Sequence, residues 1–355
     1  MSKKNSSVKL KNGLKDFKDL SNIFLNFKNK LDQLKKKSYI VAVSGGPDSL
    51  ALVALTKAYN YKKKTKFHYV LINHNIRKNS VQEAKQVKNL LKRHQLTLNI
   101  ISNKKKITTN IQGQARSVRY EMLLKFCKIK KTKTILTAHN LEDQVETFFI
   151  RLSRGSGLTG LSAMKSLSKL DGNIKLYRPL LDSKKKFLIK ISKTIFGKYF
   201  KDPSNVDQKY LRTKIRNLKK PLETSGIEYD QIIKSINNLA SSKATLDEYF
   251  KKIFKEIIKK SSKDILINLK KFKKLNKEVK IGVLNESIKR LKKNYYNPRS
   301  KKVENLIINL ESKKFKKSTL GGCLFIKKDD QLCLKLEENW HFFNFGSILS
   351  YLQPI

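Results

Sequence analysis

A short apolar segment that leads into a glycine turn constrains the fold of this chain more than any other feature. Residues 39–43 form a continuous apolar run rich in β-branched side chains, which is typical of a strand buried on both faces. Gly45 and Gly46 follow, and they allow a tight turn whose backbone lies open to a ligand. Apolar residues then recur at helical spacing from Leu50. The sequence therefore predicts a strand, a loop and a helix, with an anion site at the helix N-terminus.

The loop between this strand and helix reads SGGPDS. A nucleotide-triphosphatase loop would end in Gly-Lys-Ser/Thr, and this loop has no lysine to reach a terminal phosphate. The string resembles the pyrophosphatase loop of the N-type ATP pyrophosphatases, which split ATP between its α and β phosphates. The alternative is a plain turn in which Asp48 only begins the helix. The candidate phosphate-binding residues are Ser44, Gly45, Gly46, Pro47, Asp48 and Ser49.

Segments with strand and helix character alternate after this loop, which predicts an α/β fold with a doubly wound, Rossmann-like parallel sheet. Further strands are expected at 67–72, 96–101 and 134–138, and an edge strand at 175–181. In such a sheet the ligand lies at the carboxyl ends of the strands. Three polar segments follow strands and should converge there, namely 44–49, 73–77 and 139–146.

Periodicity and composition predict four regions. A basic tail, up to about residue 12, and an amphipathic helix occupy 1–35, and the α/β domain occupies 36–221. A helical domain is expected over 222–298, and a small α+β domain with a hairpin over 299–355. Within the second region, a turn is expected at 202–205 and a basic helix at 210–220 that stops before Pro221.

The chain is strongly basic. Its 355 residues carry 79 Lys and Arg against 28 Asp and Glu, a net charge of +51, which indicates a polyanionic partner such as RNA or DNA. An AT-biased genome is the alternative origin of part of the lysine excess. Arginine is more informative, because its planar fork suits phosphate. The candidate RNA-binding residues, for which a solvated face is the alternative, are Arg119, Arg151, Arg154, Arg212, Lys214 and Arg216.

The three cysteines, Cys127, Cys323 and Cys333, are far apart and form no CxxC pattern, which favours a reducing cytoplasm over a disulfide framework. No apolar run is long enough for a membrane span, and no secretory signal is visible.

A second acidic and polar group follows the strand at 134–138. His139, Asp143 and Glu146 are spaced so that they share one helix face, and the two carboxylates could hold Mg²⁺ or an ammonium group. The alternative is that Asn140 caps the helix with Asp143 as its partner, with no catalytic duty. His74 and Arg77 follow the strand at 67–72, where the alternative is a structural role.

The motifs together resemble the tRNA(Ile)-lysidine synthetase family over residues 38–221. The matching strings are SGGPDS, INHNIR, QARSVRY, AHNLEDQVETFFIRLSRGSGLTGL, RPLL and DPSNVDQKYLRTKIR. The resemblance implies an ATP-dependent ligase that adenylates the C2 carbonyl oxygen of the wobble cytidine in tRNA(Ile) with a CAU anticodon. Free L-lysine then displaces AMP and gives lysidine.

The resemblance also implies roles for single residues. Asp48 would contact Mg²⁺, His74, Arg77 and His139 would belong to the nucleotide site, and Arg116 would contact phosphate or RNA. Asp143 and Glu146 would hold the α-ammonium of lysine. The helical and C-terminal domains would grip the tRNA, and a homodimer is a further expectation.

The sequence departs from the family pattern at two motifs. Asn75 and Ile76 stand where a small residue or glycine and a leucine are common, and 140–142 replaces two histidines and an acidic residue. Two alternatives remain. A tRNA thiolase on the same loop would need a cysteine pair or an iron–sulfur site, and a non-catalytic basic RNA-binding protein would never release pyrophosphate.

Overall fold

The structure is a computed structural model that describes residues 3–61, 64–77, 79–104, 107–109, 111–200, 207–260, 264–292, 298, 300–312 and 314–337. Side chains are described from residue 18 onward, except those of residues 260 and 300. The chain divides into two compact units, the first within 1–240 and the second within 241–351.

The first unit holds a six-stranded sheet flanked by helices. Its strands are β1 (Ser38–Val43), β2 (Lys66–Asn73), β3 (Leu98–Ser102), β4 (Thr134–Leu136), β5 (Leu167–Asp171) and β6 (Ile174–Tyr177). Its helices are α1 (Lys3–Leu34), α2 (Pro47–Asn60), α3 (Ser80–Arg93), α4 (Ile111–Ile129), α5 (Leu141–Leu152), α6 (Leu158–Leu161), α7 (Lys185–Phe196), α8 (Leu211–Asn217), α9 (Lys219–Thr224) and the start of α10 (Tyr229–Ile257).

The strand order is β3-β2-β1-β4-β6-β5, and every neighbouring pair is parallel except β5 with β6. β1 therefore lies at the centre of the parallel strands. Tyr39, Val41 and Val43 pack into a core shared with α2, α3 and α7, whereas Ile40 packs into a second core with Leu123 of α4. Alternate side chains of β1 thus enter cores on opposite faces of the sheet. The doubly wound parallel fold expected from the sequence is confirmed.

Three local predictions in this unit are wrong. The strand predicted at the edge, β6, lies between β4 and β5, and β5 is the edge strand. The LSKLD sequence of β5 has too few apolar residues to be recognised as a strand. Pro221 does not end the basic helix, because it lies in the first turn of α9, where a missing N–H costs nothing. α1 begins at Lys3, so the predicted tail is helical. The turn predicted at 202–205 lies outside the described residues.

The second unit is built around a five-stranded antiparallel sheet. It contains the rest of α10, then β7 (Ile258–Lys260), β8 (Ile265–Asn268), α11 (Leu269–Lys273), α12 (Lys277–Lys292), α13 (Ser300–Glu311), β9 (Lys317–Leu320), β10 (Cys323–Lys328) and β11 (Gln331–Leu336). The sheet order is β7-β8-β11-β10-β9. The predicted hairpin turned at Asp329 and Asp330 is confirmed as β10 and β11.

The sequence predicted helices alone over 222–298, and β7 and β8 contradict this. β8 pairs with β11, from the region 299–355, so strands from both predicted regions share one sheet. Ile265 and Ile267 of β8 are buried in the same core as Phe325 and Leu334. Short apolar strands such as ILIN cannot be told from helical segments by periodicity alone. Among the described residues, no helix is long and apolar enough to cross a membrane.

Candidate active site

The loop between β1 and α2 is held in one conformation by backbone geometry. Gly45 has φ +84, and a Cβ atom there would lie 2.6 Å from Cγ2 of Val87, so only glycine fits. The N–H of Phe200 donates to the carbonyl of Gly45 at 3.0 Å. The Ser49 hydroxyl accepts from the Ser44 N–H at 3.2 Å and donates to the Gly46 carbonyl at 2.9 Å. The first turn of α2 therefore begins from a preset loop, a geometry that suits phosphate oxygens.

Asp48 lies in the first turn of α2 with an unusual environment for a carboxylate. Its Oδ1 is buried and has no hydrogen-bond partner, and its Oδ2 lies 3.8 Å from Nζ of Lys185 at the start of α7. Burial raises the pKa of Asp48 to about 6, and the Lys185 ammonium opposes that rise. An unpaired buried carboxylate oxygen beside a phosphate loop can receive a cation.

The predicted acidic pair is already engaged by two arginines. Asp143 forms a capping box with Asn140, as the alternative interpretation held, and its Oδ1 accepts from Nη2 of Arg212 at 2.9 Å. The Glu146 side chain is 4% exposed and accepts from Nε of Arg212 at 2.6 Å and from Nε of Arg216 at 2.8 Å. The two carboxylates are thus close to saturated with hydrogen bonds and cross-link α5 to α8.

The two predicted histidines are both neutral, because burial and nearby arginines lower the pKa of each. Burial lowers the pKa of His139 far below its usual range, and Arg178, Arg116, Arg212 and Arg119 lower it further. Its Nδ1 lies 2.9 Å from the Thr137 hydroxyl. Burial, with Arg119, lowers the pKa of His74 to about 4, and both of its ring nitrogens are buried without a partner among the described residues. Neither imidazole carries charge at neutral pH, and His74 keeps two unused polar atoms.

The other basic candidates occupy four kinds of place. Arg77 forms an ion pair with Glu83 at 2.7 Å. Nη1 of Arg151 donates to the carbonyls of Gly160 and Ala163, at 2.7 and 2.9 Å, so it holds the turn after α6. The guanidinium of Arg116 lies 5.1 Å from the ring centroid of Tyr120. The candidates that remain exposed to solvent are Arg119, Arg154 and Lys214.

Two cavities lie beside these groups. The smaller, of about 190 Å³, is named here the arginine cavity; its lining is Arg116, His139, Thr147, Arg151, Ala163, Met164, Lys165, Ser168, Arg178 and Arg212. The larger, of about 600 Å³, is named the mixed-charge cavity; its lining is Leu141, Glu142, Glu146, Lys184, Lys185, Lys186, Ile189, Arg216, Lys219, Glu223, Glu228, Tyr229 and Asp230. No residue of the SGGPDS loop lines either cavity.

Comparison with known proteins decides the family. A PP-loop domain model matches residues 20–222. The tRNA(Ile)-lysidine synthase of Wolbachia pipientis wMel is 34% identical over 306 residues, which cover 84% of this chain and 70% of that protein. The tRNA(Ile)-lysidine synthase of Wolbachia sp. subsp. Brugia malayi (strain TRS) is 32% identical over 332 residues, 91% of this chain and 74% of that protein.

This chain belongs to the tRNA(Ile)-lysidine synthase family. Among solved structures, the U34-tRNA thiolase NcsA from Methanococcus maripaludis with its [4Fe-4S] cluster resembles it with a TM-score of 0.53 at 17% identity, over 63% of this chain and 80% of that one. A likeness at that identity supports the PP-loop fold alone. The family resemblance expected from the motifs, and the choice of a synthase over a thiolase or a plain RNA-binding protein, are confirmed.

The cysteines agree with a synthase. Cys127, Cys323 and Cys333 are all free and buried, and burial raises the pKa of Cys127 to about 12. In the part of the chain that the structure describes, no group of three His, Cys, Asp or Glu residues could hold a metal ion. The iron–sulfur site that a thiolase would need therefore has no counterpart among these residues.

Sequence reasoning gave no site role to two residues that the fold brings to the site. Lys185 faces Asp48, and Arg178 lines the arginine cavity, where its Nη1 donates to the carbonyl of Lys165 at 2.7 Å and to the Ser168 hydroxyl at 2.9 Å. Arg178 stands in the RPLL string directly after β6, at the carboxyl edge of the sheet. That position was the available signal, because polar residues that follow parallel strands gather at one edge.

Proposed function

We propose that this protein is an ATP-dependent ligase that joins lysine to the wobble cytidine of tRNA(Ile) with a CAU anticodon. The observation that carries the proposal is the fixed SGGPDS loop, with the unpartnered carboxylate oxygen of Asp48 beside it. The family, whose members in two Wolbachia strains bear the synthase name, supports the choice of substrate. The products are lysidine in the tRNA, AMP and pyrophosphate.

The reaction has two steps. The C2 carbonyl oxygen of the cytidine bonds to the α-phosphorus of ATP, and the bond from that phosphorus to the bridging oxygen breaks to release pyrophosphate. The lysine amine then bonds to C2, loses a proton, and AMP leaves with the former carbonyl oxygen. In the first step, charge builds on the leaving pyrophosphate. The N–H groups of the loop and of the first turn of α2 lie where they could stabilise it.

The residues present fit a bound Mg²⁺. Mg²⁺ commonly takes one or two protein carboxylates together with phosphate oxygens and water. The buried Oδ1 of Asp48 has no partner and supplies such a ligand beside the loop. When bound, Mg²⁺ would offset the negative charge of the phosphates. Nζ of Lys185, 3.8 Å from Oδ2 of Asp48, would supply a second cation near the phosphates.

The motifs assign the α-ammonium of lysine to Asp143 and Glu146, which stays a prediction, and the structure suggests an alternative position. Asp143 and Glu146 are paired with Arg212 and Arg216, so an ammonium group would have to displace a guanidinium. We assign lysine instead to the mixed-charge cavity. Its lining holds five carboxylates and five cations, most of them paired, Glu146 included. Glu228 and Lys186 form no ion pair with another described residue, and one free charge of each sign suits an amino acid that carries both. Asp143 and Glu146 then serve to orient the two arginines.

The electrostatics of Tyr229 support this assignment. Burial, together with Glu146, Glu142 and Glu223, raises the pKa of the Tyr229 phenol to about 12. Nζ of Lys219 lies 4.9 Å from the centroid of the Tyr229 ring, so an ammonium group is already accommodated there. Glu228 lines the same cavity and forms no ion pair with another described residue.

A charge-neutral variant tests the lysine cavity. Glu228→Gln should raise the KM for lysine about three- to tenfold, as expected for the loss of an exposed charge-assisted contact, with an unchanged KM for ATP. Glu248→Gln, an equally exposed carboxylate outside the cavity, is the matched control and should leave both constants unchanged. A rise in the KM for ATP with none for lysine would place the amino acid elsewhere.

The partners and compartment follow the same proposal. Arg119, Arg154 and Lys214 remain candidates for RNA phosphates because they are exposed. The free, buried cysteines agree with a reducing cytoplasm, where the tRNA substrate is found. The grip of the second unit on tRNA and a homodimer are further parts of the proposal that the family resemblance suggests.

The proposal is tested by pyrophosphate release from ATP with total tRNA present, with and without each amino acid. We expect labelled lysine to enter tRNA with release of one pyrophosphate per lysine. Release that needs tRNA but ignores lysine would keep the adenylation step and exclude lysine as the nucleophile. Tight tRNA binding without any pyrophosphate release would support a binding protein instead.

A further inference from the structure

The arginine cavity combines many cations with no acid in its lining. Five of its ten lining residues are Arg or Lys, and none is Asp or Glu. Arg212 is neutralised by Asp143 and Glu146. Arg116, Arg151 and Arg178 form no ion pair with any carboxylate that the structure describes. Guanidinium groups of like charge around one space repel one another unless an anion lies between them.

The electrostatics confirm that these groups act on each other. Burial lowers the pKa of Arg151, and the charge of Arg116 lowers it further. Burial also lowers the pKa of Arg178, Tyr120 opposes that change, and Arg116 and Arg151 add to it. His139, at the same cavity, is held neutral and so leaves the space open to an anion without adding a charge of its own.

Two buried polar atoms at the cavity have no partner. Thr147 is 0% exposed and its Oγ1 makes no hydrogen bond, and Arg178 is 7% exposed with an unpaired Nε. A buried polar atom without a partner costs free energy, so such atoms normally meet a ligand or water. Both donors belong to residues that line the cavity, together with the Ser168 hydroxyl.

The cavity is large enough for a single phosphate group but too small for a whole nucleotide. Its volume of about 190 Å³ lies below the roughly 300 Å³ at which pockets begin to enclose small-molecule ligands. None of residues 44–49 lines it, so its anion is not the pyrophosphate held by the loop. The cavity suits one phosphate group that belongs to a larger molecule.

We propose that the arginine cavity is a second phosphate site, which receives one backbone phosphodiester of the RNA substrate next to the nucleotide that reacts. Arg116 and Arg178 bind its oxygens, and Thr147 donates from its hydroxyl. The identity of the RNA rests on the proposed function. A phosphate bound in this cavity would fix the distance between the RNA backbone and the SGGPDS loop. A guanidinium group can donate two parallel hydrogen bonds to the oxygens of one phosphate.

Binding of an anticodon stem-loop RNA, measured without ATP or lysine, tests this site. Arg116→Gln should weaken binding about tenfold, as for one charge-assisted contact. It should also make the slope of log K against log salt shallower by about 0.7, the value for one single-stranded phosphate. Arg178→Lys is the second variant, since it keeps the charge and loses the fork, and it should weaken binding less. Arg93→Gln, an exposed arginine on α3, is the matched control and should match the wild type.

A neutral methylphosphonate at a single linkage of the stem-loop then locates the phosphate. A methylphosphonate at the linkage that occupies the cavity should weaken RNA binding to the wild type. The same substitution should cause no further loss of binding to the Arg116→Gln variant. Additive losses at every linkage would overturn the proposal. Weaker binding of ATP by Arg116→Gln, with RNA binding unchanged, would assign the cavity to a nucleotide phosphate. None of these readouts needs turnover, so RNA binding that behaves as expected without lysidine formation would refute only the proposed function.

Discussion

Asp48 is the residue at which function and stability oppose one another. Its carboxylate is mostly buried, one oxygen has no partner, and the pKa of the group rises to about 6. A carboxylate in such a place destabilises the folded chain whenever it is ionised, because it has lost water without gaining enough hydrogen bonds. A phosphate-bound cation would relieve that cost, which is why a buried unpaired oxygen beside an anion loop points to a ligand.

The pH dependence of stability follows from the raised pKa of Asp48. Because the folded pKa, about 6, exceeds the ordinary value of 3.8, stability from this group is present below 3.8 and is lost as pH rises through 6. Asp48→Asn should therefore stabilise the free protein by up to about 3 kcal/mol at pH 8 and by little near pH 4. Urea denaturation of both proteins at the two pH values measures this. An equal difference at both would contradict the assigned pKa, and the same variant should lose most pyrophosphate release.

Glu146 is the residue on which the contact between α5 and α8 depends. Glu146→Ala would leave Arg212 and Arg216 partly buried without their main partner, and we expect a loss of about 3–5 kcal/mol in the free energy of unfolding. Lys214→Ala, an exposed change on the same helix, should stay within about 0.5 kcal/mol. Chemical denaturation compares the two. Similar small losses for both would mean that the arginines turn to solvent and remain free for RNA.

At the scale of elements, the loop between β1 and α2 depends on two kinds of glycine. Gly45 has a positive φ and no room for a Cβ atom, whereas Gly46 has φ −70 and its nearest neighbour would be 3.6 Å away. Substituting each glycine in turn therefore distinguishes the effect of backbone strain, at Gly45, from the effect of reduced chain flexibility, at Gly46.

Gly45→Ala should destabilise the protein by at least about 2 kcal/mol and weaken ATP binding, because the loop must move to relieve the contact with Val87. Gly46→Ala should cost no more than about 1 kcal/mol in the free energy of unfolding, because its φ of −70 suits alanine. Calorimetry of ATP binding and urea unfolding measure both effects. If the two variants behaved alike, the loop conformation would not depend on the left-handed geometry of Gly45.

Sequence reasoning located the elements of the parallel sheet but not the partners of the charged side chains. The apolar run of β1 and the polar residues after β1, β2 and β4 predicted the sheet and its ligand edge, because strand burial and the βαβ rule act locally. That Asn140 caps α5 with Asp143 as its partner was an open alternative, and this capping box is now observed. Asp143 pairs with Arg212, which is 69 residues away in the sequence, and no local pattern encodes such a contact. β7 and β8 were missed because their burial depends on distant β11.

At the scale of the whole molecule, charge and cavities are distributed unevenly. A chain of net charge +51 contains one cavity lined by cations without acids and another in which five acids balance five cations. Uniform lysine enrichment from genome composition would not separate the two. The long-range field attracts RNA in general, whereas the cavities determine which groups are held in place.

The salt dependence of tRNA binding measures how much of the charge is used. If six or more phosphates are contacted, the affinity for tRNA should fall at least about 10³-fold between 50 and 200 mM salt. Filter binding over this range gives the slope, and an uncharged-backbone analogue of the anticodon loop provides the control. A slope corresponding to one or two phosphate contacts would mean that most of the lysines do not contact RNA and reflect only the composition of the genome.

The hydrogen bond from Phe200 to Gly45 joins residues that the ribosome makes far apart in time. The strand that carries the loop is central in the sheet, yet its turn is completed by a residue that follows the last helix of the α/β core, α7. A growing chain can therefore form β1 early but cannot finish its phosphate loop until residue 200 has left the exit tunnel. Incomplete products of translation would lack this hydrogen bond, so an unfinished chain would hold its phosphate loop less firmly than the complete protein.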